Sequence, residues 1–430
     1  MKRLLLLSYH YVPLNSIATQ RAVGFVRHLP EHGIHPVVVT HDWQRAGDSE
    51  WDWQIRRGTE HRVETHPDHT VIYLPLPAEA RPYTATSLQT LSHLYRGRFD
   101  LGGLMPASRK AYARFLAEHG STLGPLDGVL AEFNPHHHLE LGYRFARQRA
   151  LPFCADLRDL WSPTAEVGHV EGGPTARLRD RFVRRSWKKW LKRAAVVSTV
   201  SPPLAKFLEG FLDRSAITVR NGVEPDLFHG ITRVKPERFT LAYVGTLYRD
   251  QDTALLLEFL QSLPQEMDWE LHWLGATDPT REEALRFQWS SVGLHLNNLR
   301  ITGRSSRTNA LTLMRSAQVL LYPTWPGLPG VVSGKIYEYL ASGTPTAVLS
   351  RDPNMDVVEL VAAAPNGQVF LEGSSASWNA WIGELQLAWN DAQGSPVPHT
   401  SPYERSAGVA FWVHAFEQAT ASKKKKKKRG

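Results

Sequence analysis

Short apolar runs alternate with helix-length amphipathic segments along most of the chain. Within each run the hydrophobic residues are continuous rather than alternating, which is typical of parallel strands covered by helices on both faces. The strand candidates are residues 3–8, 35–40, 70–76, 126–132, 151–157, 194–201, 216–222, 239–245, 269–275, 299–303, 317–323, 344–350 and 367–372. The pattern therefore predicts an α/β protein built on parallel sheets.

One segment interrupts this rhythm and indicates a domain boundary. Residues 220–237, "RNGVEPDLFHGITRVKPE", are rich in Gly, Pro and charge, and strands and helices resume after them. A chain of 430 residues also exceeds one ordinary hydrophobic core. We predict two doubly wound, Rossmann-like domains facing across a cleft, at 1–215 and 216–402, followed by an amphipathic helix at 403–422.

Composition describes an ordinary soluble protein with an unusual tail. Hydrophobic residues make up 42% and charged residues 21% of the chain. The net charge of +8 comes almost entirely from the terminal "KKKKKKRG", which contributes +7. We predict that this tail, 423–430, is disordered and binds acidic lipid or nucleic acid only nonspecifically. The rest of the chain gives no reason to expect a specific nucleic-acid partner.

The cysteine content and the hydrophobic runs bear on localisation. Cys154 is the single cysteine, which excludes an intrachain disulfide and a Cys-based zinc site. The leucine run from Leu4 to Leu7 is shorter than an export signal requires, and no run of eighteen apolar residues occurs. These features predict a cytoplasmic protein.

The stretch "VSGKIYEYLASGTP", residues 332–345, places a Gly-Lys pair before a helix-like run. It is not a Walker A loop, since Pro329 stands where that motif has Gly and Ile336 follows Lys335. The glycine-bearing loop instead predicts an anion site at the carboxyl end of a strand, where a helix N-terminus offers backbone N–H groups. Glu338 is either a favourable first-turn residue for the helix dipole or a ligand-binding carboxylate.

A second glycine turn lies in "VGTLYRDQD", residues 244–252. Gly245 and Thr246 end a strand candidate, and Arg249 follows closely, which also suits a diphosphate. Asp250 and Asp252 form a D-x-D pattern that some enzymes use for a divalent metal, but Asp is equally common where a helix begins. We predict no metal site and no cofactor.

Polar residues also follow strand candidates in the first half. "NPHHHLELGYR" contains His136, His137 and His138, of which His138 is our candidate acid, base or hydrogen-bond donor. "ADLRDLW" places Asp156 and Arg158 at a strand end, where buried charges are costly unless paired or used. A polar lining for a hydroxylated substrate is the functional interpretation; a structural Asp–Arg pair and a surface loop are the alternatives.

The segment 177–194 is strongly basic and aromatic. On a helical wheel its apolar side consists of Val183, Trp187, Trp190, Leu191 and Ala194, opposite Arg181, Arg184, Lys188 and Lys192. Such a helix is a candidate for binding an anionic membrane surface, and this would place the protein at the inner face of the membrane. The alternative is a solvated helix whose aromatic stripe packs on the sheet.

Together these segments resemble the GT-B glycosyltransferases of the retaining family 4. The resemblance extends to about Ala421 and rests on six segments in family-like order and spacing: "SYHYVPLNSIATQRAVGFVRHLPEHGIHPVVVT", "ADLRDLW", "VSTVSPPLAKFL", "VRNGVEPDLF", "VGTLY" and "GKIYEYLASGTP". It implies two Rossmann-like domains, a nucleotide-sugar held mainly by the second, and a last helix that returns to the first.

The resemblance also implies roles for individual residues. Glu338 matches the second Glu of the family's E-x7-E motif, which binds the nucleotide ribose, and His138 matches a family histidine. The remaining implied donor-binding residues lie in loops that approach the phosphates and the sugar: Asn15, Ser16, Ile17, Gly245, Thr246, Arg249, Gly330, Val331, Gly334 and Lys335.

Two positions depart from the family pattern. Gly330 stands where the first Glu of E-x7-E is expected, and no second basic residue follows Arg249. Lys335 is our candidate to replace that second cation.

We therefore hypothesise a metal-independent, retaining glycosyltransferase with His138, Asp156 and Arg158 as catalytic residues. It would move a sugar from a UDP- or GDP-type donor to a hydroxyl of a glycan or lipid-linked glycan, in the synthesis of cell-surface polysaccharide or glycoconjugate. The alternatives are an epimerase-like GT-B enzyme and a noncatalytic nucleotide-sugar-binding protein. The glycine at position 330 is the feature that favours the latter.

Overall fold

The chain forms two compact units. The computed structural model describes residues 1–14, 16–47, 52–81, 105–158, 174–390 and 403–427. The first unit comprises Met1–Asn221 and the chain from Arg405 onward, and the second comprises Gly222–Glu404. The boundary lies six residues later than the sequence suggests, because the strand at 217–218 pairs with the first sheet rather than opening the second.

The first unit is built on an eight-stranded sheet and a separate two-stranded ribbon. Its strands are β1 (Lys2–Leu7), β2 (Ile34–His41), β3 (Trp43–Arg45), β4 (Trp53–Ile55), β5 (Arg62–Thr65), β6 (Thr70–Leu74), β7 (Gly128–Phe133), β8 (Phe153–Leu157), β9 (Val196–Thr199) and β10 (Ile217–Thr218). The order of the large sheet is β10-β9-β8-β7-β1-β2-β6-β5, and β3 pairs with β4. All neighbours in the large sheet are parallel except β5, which runs antiparallel to β6.

Helices cover both faces of this sheet. They are α1 (Ile17–His28), α2 (Met105–Glu118), α3 (His136–Gln148), α4 (Pro174–Leu191), α5 (Pro202–Leu212) and the final helix α12 (Arg405–Lys427), with a 3-10 turn at Leu29–His32. One core lies between the sheet and α2, α3 and α4, and the other between the sheet, α1 and α12. In the second core, Trp412 of α12 packs edge-on against Phe25 of α1 with ring centroids 5.6 Å apart.

The aromatic stripe of α4 belongs to the interior of the first unit. Trp187 and Trp190 are 0% and 4% exposed, whereas Arg184 and Lys188 on the opposite side are exposed. The two tryptophans are therefore not available to enter a lipid surface, and the sheet-packing alternative describes this helix. Among the described residues, no helix is both long enough and apolar enough to cross a bilayer.

The second unit is a six-stranded parallel sheet with its own core. Its strands are β11 (Phe239–Val244), β12 (Trp269–Ala276), β13 (Leu299–Gly303), β14 (Val319–Pro323), β15 (Thr346–Ser350) and β16 (Gly367–Leu371), in the order β13-β12-β11-β14-β15-β16. Its helices are α6 (Thr253–Gln261), α7 (Pro279–Ser291), α8 (Arg307–Ser316), α9 (Gly334–Ala341), α10 (Asp356–Ala362) and α11 (Ser375–Asn390), with a 3-10 turn at Leu296–Asn298.

One structural difference from the sequence predictions concerns the end of the last helix. The helix α12 continues to Lys427, five residues into the tail that the sequence predicts to be disordered. The run of lysines extends a preceding amphipathic helix, and lysine is a good helix former. Residues 428–430 lie outside the described part of the chain.

Parallel sheets bind ligands where the strand order reverses. In the second unit that point lies between β11 and β14, at the carboxyl ends of both strands. The chain leaves β11 through Gly245, whose φ of +111° favours glycine. Gly275, in the neighbouring β12, has a φ of +108°, and a Cβ on it would lie 3.0 Å from the Cα of Gly245.

We expect Gly275→Ala to destabilise the protein by about 2 kcal/mol, because the side chain would both strain the backbone and collide with the Gly245 turn. Urea unfolding measures this effect. Gly293→Ala is the matched control, since Gly293 also has a positive φ, +80°, but a Cβ there meets nothing within 4 Å. If the two variants lose the same free energy of unfolding, the close approach of the two turns does not contribute to the effect.

Candidate functional site

Lys335 is buried beside the glycine turn of the second unit. It is the second residue of α9, and its Nζ donates to Tyr243 Oη at 2.5 Å and to the Thr246 carbonyl at 3.2 Å. The ammonium also lies 4.1 Å from the centroid of the Tyr243 ring. Burial lowers the pKa of Lys335 from 10.5 to about 7, although the charge of Glu338 acts in the opposite direction. The structure thus places a buried lysine, whose pKa is lowered by burial, directly beside the turn of Gly245 and Thr246.

Glu338 lies in the second turn of α9 and is buried, so the interpretation of it as a first-turn dipole residue is wrong. Its two carboxylate oxygens accept hydrogen bonds from Arg307 at 2.6 and 3.1 Å. Arg307 is the first residue of α8, and its side chain is 44% exposed. A buried carboxylate is therefore held in one orientation by a guanidinium that remains in contact with solvent.

Two arginines flank the other side of the same turn. Arg249 is exposed, as expected for a phosphate-binding side chain, and Arg281 in the first turn of α7 donates to the Tyr248 carbonyl at 2.8 Å. Burial and the charge of Arg249 lower the pKa of Arg281. Arg281 of α7 is therefore a further cation close to Arg249, and the sequence did not single it out.

The second aspartate of the D-x-D pattern caps the N-terminus of a helix. Asp252 is the N-cap of α6, where its Oδ1 accepts the Leu255 amide at 2.9 Å and its Oδ2 accepts Arg351 Nε at 2.7 Å. Asp250 is exposed. Among the described residues, no group of three or more His, Cys, Asp and Glu side chains is arranged around a common metal position.

The loop between β14 and α9 contains the other predicted donor-binding residues. Gly330 is buried, the Val331 amide bonds to the Leu328 carbonyl at 3.1 Å, and Gly334 begins α9. The loop is held at the sheet edge by Tyr322, whose hydroxyl accepts the Ser333 amide at 3.0 Å. The Ser333 hydroxyl itself is buried beside the Tyr322 hydroxyl.

The carboxyl edge of the first sheet carries a row of polar side chains at its own reversal point. The row contains one residue on, or just beyond, each of four neighbouring strands: Ser8, Glu132, Asp156 and Ser198. Ser8 Oγ donates to Glu132 Oε2 at 2.5 Å. Burial raises the pKa of Glu132 to about 7, against the opposing charge of Arg158. The row thus contains a carboxyl group that is only partly ionised near neutral pH.

Asp156 is fully buried and paired with an arginine from α1. Arg21 donates to its two oxygens at 2.5 and 2.7 Å, and Ser198 Oγ donates to Oδ1 at 2.6 Å. Arg21 also donates to the Val219 carbonyl at 2.9 Å. The geometry favours the structural Asp–Arg interpretation, with Arg21 rather than Arg158 as the partner, because α1 packs across the strand end.

Asp156→Asn should destabilise the protein by about 3 kcal/mol, because Arg21 would keep a buried charge without its counter-ion. Urea unfolding measures the loss. Glu417→Gln is the control, since its ion pair with Lys2 is about half exposed and should contribute less than about 1 kcal/mol. An Asp156→Asn protein of unchanged stability but lost activity would instead support a catalytic role.

His138 lies beneath the surface of the first unit. It is fully buried against Tyr112, with ring centroids 4.5 Å apart, and neither ring nitrogen makes a hydrogen bond of normal geometry to a described residue. Burial and then the neighbouring His137 lower its pKa well below the usual range. The ring is therefore neutral, and in this arrangement it does not reach the open edge of the sheet.

The half-buried imidazole at this edge is His10, which the sequence did not single out. Its Nδ1 lies 3.1 Å from Arg158 Nη2, and burial together with Arg158 lowers its pKa to about 3. Arg158 also donates to the Ala18 carbonyl at 2.9 Å. Arg158 and His10 thus lie beside each other at this edge, whereas the predicted candidate His138 is fully buried.

The loop at residues 15–17, which the resemblance assigns to donor binding, is described only in part. Asn15 lies outside the described residues, and Ile17 begins α1. Ser16 is the N-cap of that helix, with its hydroxyl 3.3 Å from the Thr19 amide. The hydroxyl therefore satisfies a helix N-terminus at the same sheet edge.

Comparison with solved structures identifies the fold. Sucrose-phosphate synthase from Thermosynechococcus elongatus matches with 14% identity over 100% of both chains and a TM-score of 0.61. An α,α-trehalose-phosphate synthase (UDP-forming) from Burkholderia vietnamiensis matches with 14% identity over 98% of this chain and 100% of the other, at 0.63. The chain has the GT-B fold.

Anabaena HepE, solved in complex with UDP and glucose, shares the GT-B fold with this chain at 14% identity, covering 97% of this chain and 100% of HepE with a TM-score of 0.58. No protein-family model and no curated protein sequence matches the chain. The predicted α/β class and Rossmann-like units are confirmed. Membership of family 4 and the retaining mechanism stay predictions.

Proposed function

We propose that the protein is a glycosyltransferase that takes a sugar from a nucleoside diphosphate donor. The observation that carries this proposal is the convergence of Lys335, the Gly245 turn and the buried Glu338 at the reversal point of the second sheet. A cation under a glycine turn suits a diphosphate, and a fixed carboxylate suits a pair of ribose hydroxyls. The GT-B fold of sugar-transferring enzymes supports the same function.

The chemical difficulty of this reaction is the negative charge that develops on the departing diphosphate. In this proposal Lys335, which is buried and already hydrogen-bonded at the turn, and the exposed Arg249 stabilise that charge, and Lys335 does so as a preorganised cation. The N-terminus of α9 adds a partial positive charge at the same edge. We propose that transfer occurs with retention, that the proton of the acceptor hydroxyl passes to a donor phosphate oxygen, and that no metal is required.

The polar edge of the first unit is our candidate acceptor site. Arg158 and His10 present a guanidinium and an imidazole there, above the partly ionised Glu132. Such groups suit the hydroxyls of a glycan or lipid-linked glycan. The proposed roles of Asp156 and His138 are consequently indirect, since Asp156 fixes Arg21 and His138 packs beneath Tyr9, with ring centroids 6.5 Å apart.

The proposed function also implies where the protein acts in the cell. We propose a cytoplasmic enzyme of polysaccharide or glycoconjugate synthesis, whose contact with an anionic membrane would use the exposed basic face of α4 and the terminal run of lysines. Binding of the protein to anionic vesicles should therefore fall steeply with salt and should not change when an exposed apolar residue, Phe207, is replaced by Ser.

Donor screening tests the proposed function. UDP-, GDP-, ADP- and TDP-sugars are compared by thermal shift, because a ligand of the folded state raises the unfolding temperature by mass action. The stabilising donor is then incubated with and without candidate glycan acceptors. Transfer to an acceptor is the expected result. Conversion of the donor alone would indicate an epimerase, and binding without any turnover would indicate a noncatalytic protein.

A further inference from the structure

Arg281 occupies an unfavourable position for a cation. It is the third residue of α7, within the first turn, where the helix dipole favours negative rather than positive charge. The N-cap of this helix is Asp278, whose carboxylate accepts the Thr280 amide at 3.0 Å. A neutral or acidic residue would serve the start of this helix better than arginine.

The surroundings of Arg281 add two further costs. Its Nε is buried and has no hydrogen-bond partner in the part of the chain that the structure describes. Arg249 is near enough that its charge, after burial, lowers the pKa of Arg281, while Asp278 and Asp250 offset this only in part. Within the described residues Arg281 forms no ion pair, so its positive charge is not neutralised by direct contact.

The same guanidinium is nevertheless held firmly at the glycine turn. Its Nη2 donates to the Tyr248 carbonyl at 2.8 Å. Lys335 Nζ donates at 3.2 Å to the carbonyl of Thr246, which lies two residues before Tyr248 in the chain. The two cations therefore hold one short loop through two of its carbonyls, and Arg249 follows directly in that loop. A single hydrogen bond to Tyr248 would not by itself require a charged side chain.

A multiply charged anion at this turn would relieve the electrostatic costs together. It would accept hydrogen bonds from the Arg281 guanidinium, compensate the repulsion between the two guanidiniums, and oppose the positive end of the α7 dipole. We infer that Arg281 is a phosphate-binding residue, and that Arg249, Arg281 and Lys335 form a three-cation site for a diphosphate at the Gly245 turn. This inference rests on the proposed donor site and adds a residue to it that no local sequence motif marks.

The test compares two arginines of the same helix. Arg281→Gln removes the proposed phosphate ligand and its charge but keeps a polar side chain, and Arg286→Gln removes the same charge from an exposed position of α7. Pyrophosphate and UDP are titrated into the full-length proteins by calorimetry at fixed ionic strength. We expect Arg281→Gln to weaken the binding of both ligands about tenfold, as loss of a hydrogen bond to a charged group does, and Arg286→Gln to change it less than about twofold.

Folding is controlled by two further measurements. Without ligand, Arg281→Gln should unfold at the same or a higher temperature than the unaltered protein, because a repelled and poorly solvated charge has been removed. Arg281→Lys retains the charge and should recover most of the pyrophosphate binding. Failure of lysine to recover it would overturn the phosphate-binding role.

The remaining outcomes separate this inference from the proposed function. If the unaltered protein and Arg286→Gln bind pyrophosphate and UDP, but Arg281→Gln binds them equally well, Arg281 is not part of the site while the donor site stands. If the unaltered protein binds neither ligand, the donor site itself is wrong, and the assignment of Arg281 is overturned with it.

Discussion

Replacing Lys335 with methionine should weaken the binding of a nucleoside diphosphate about 10- to 100-fold and at the same time stabilise the ligand-free protein. The loss of affinity follows because a buried ammonium that faces a diphosphate makes charged hydrogen bonds. The gain in stability follows because burial disfavours that ammonium, as its lowered pKa of about 7 shows. We expect Lys335→Met to raise the free energy of unfolding by on the order of 2 kcal/mol, after allowance for the lost hydrogen bond to Tyr243.

The pH dependence of the unaltered protein provides an independent check on Lys335. Between about pH 7 and 10.5 the unfolded chain binds a proton that the folded protein does not, so the stability of the ligand-free protein should rise with pH across this window. Over the same window diphosphate affinity should fall, because the unliganded site loses its charge. These opposite trends should both vanish in Lys335→Met.

Calorimetry with UDP and urea unfolding, each from pH 6 to 9, measure the two quantities. Lys235→Met is the control, since Lys235 is the other lysine of the second unit and is exposed. A Lys335→Met protein that binds UDP with the affinity of the control would exclude Lys335 from the phosphate site. Affinity that is flat across this pH range would show that its protonation does not matter.

Replacing Glu338 with glutamine should weaken UDP binding about 30-fold, because hydrogen bonds from two ribose hydroxyls to a carboxylate are stronger than those to an amide. The carboxylate is buried and bidentate with Arg307, so it is already oriented before the ligand arrives. The amide keeps the volume of the side chain but removes its charge and replaces one acceptor oxygen with an NH2 donor. Glu359→Gln, at an exposed position of α10, is the matched control.

A second ligand separates the ribose role from a general structural role. The unaltered protein should bind 2′-deoxyuridine diphosphate more weakly than UDP, and Glu338→Gln should bind the two ligands with nearly equal affinity. Removing the ribose 2′-hydroxyl and the Glu338 carboxylate, separately and together, measures the interaction between them, as in a double-mutant cycle. If Glu338→Gln weakens both ligands equally and the preference for UDP persists, the carboxylate acts on the fold of the loop rather than on the ribose.

Most of the fold was predictable because parallel strands buried on both faces leave a continuous apolar signal. All thirteen predicted runs contain a strand of the structure. The three strands that the sequence missed, β3, β4 and β5, are short and largely exposed, so no such signal marks them. The boundary was misplaced for a related reason, since β10 has only two paired residues and its apolar run does not reveal which sheet receives it.

The site was predictable only where local sequence carries the chemistry. The glycine turn and the Gly-Lys helix start are local, and both lie at the edge where ligands bind in such sheets. The partners of the charged residues are not local: Arg21 reaches Asp156 across 135 positions, and Arg307 reaches Glu338 across 31. A signal does exist for Arg281 and Arg307, because each is a cation in the first turn of a helix, where the dipole disfavours it.

The discontinuity of the first unit has a consequence for how the gene can be divided. The second unit enters and leaves at adjacent positions, since Val223 bridges Glu404 and the Val223 amide bonds to the Tyr403 carbonyl at 3.0 Å. The buried residues Trp412 and Phe416 belong to a core that is otherwise encoded almost two hundred positions earlier. The coding sequence of the second unit is therefore inserted within that of the first unit, rather than following it. We expect that the second unit is replaceable by a short linker, because its ends are adjacent, whereas truncation before Arg405 would remove the last helix of the first unit.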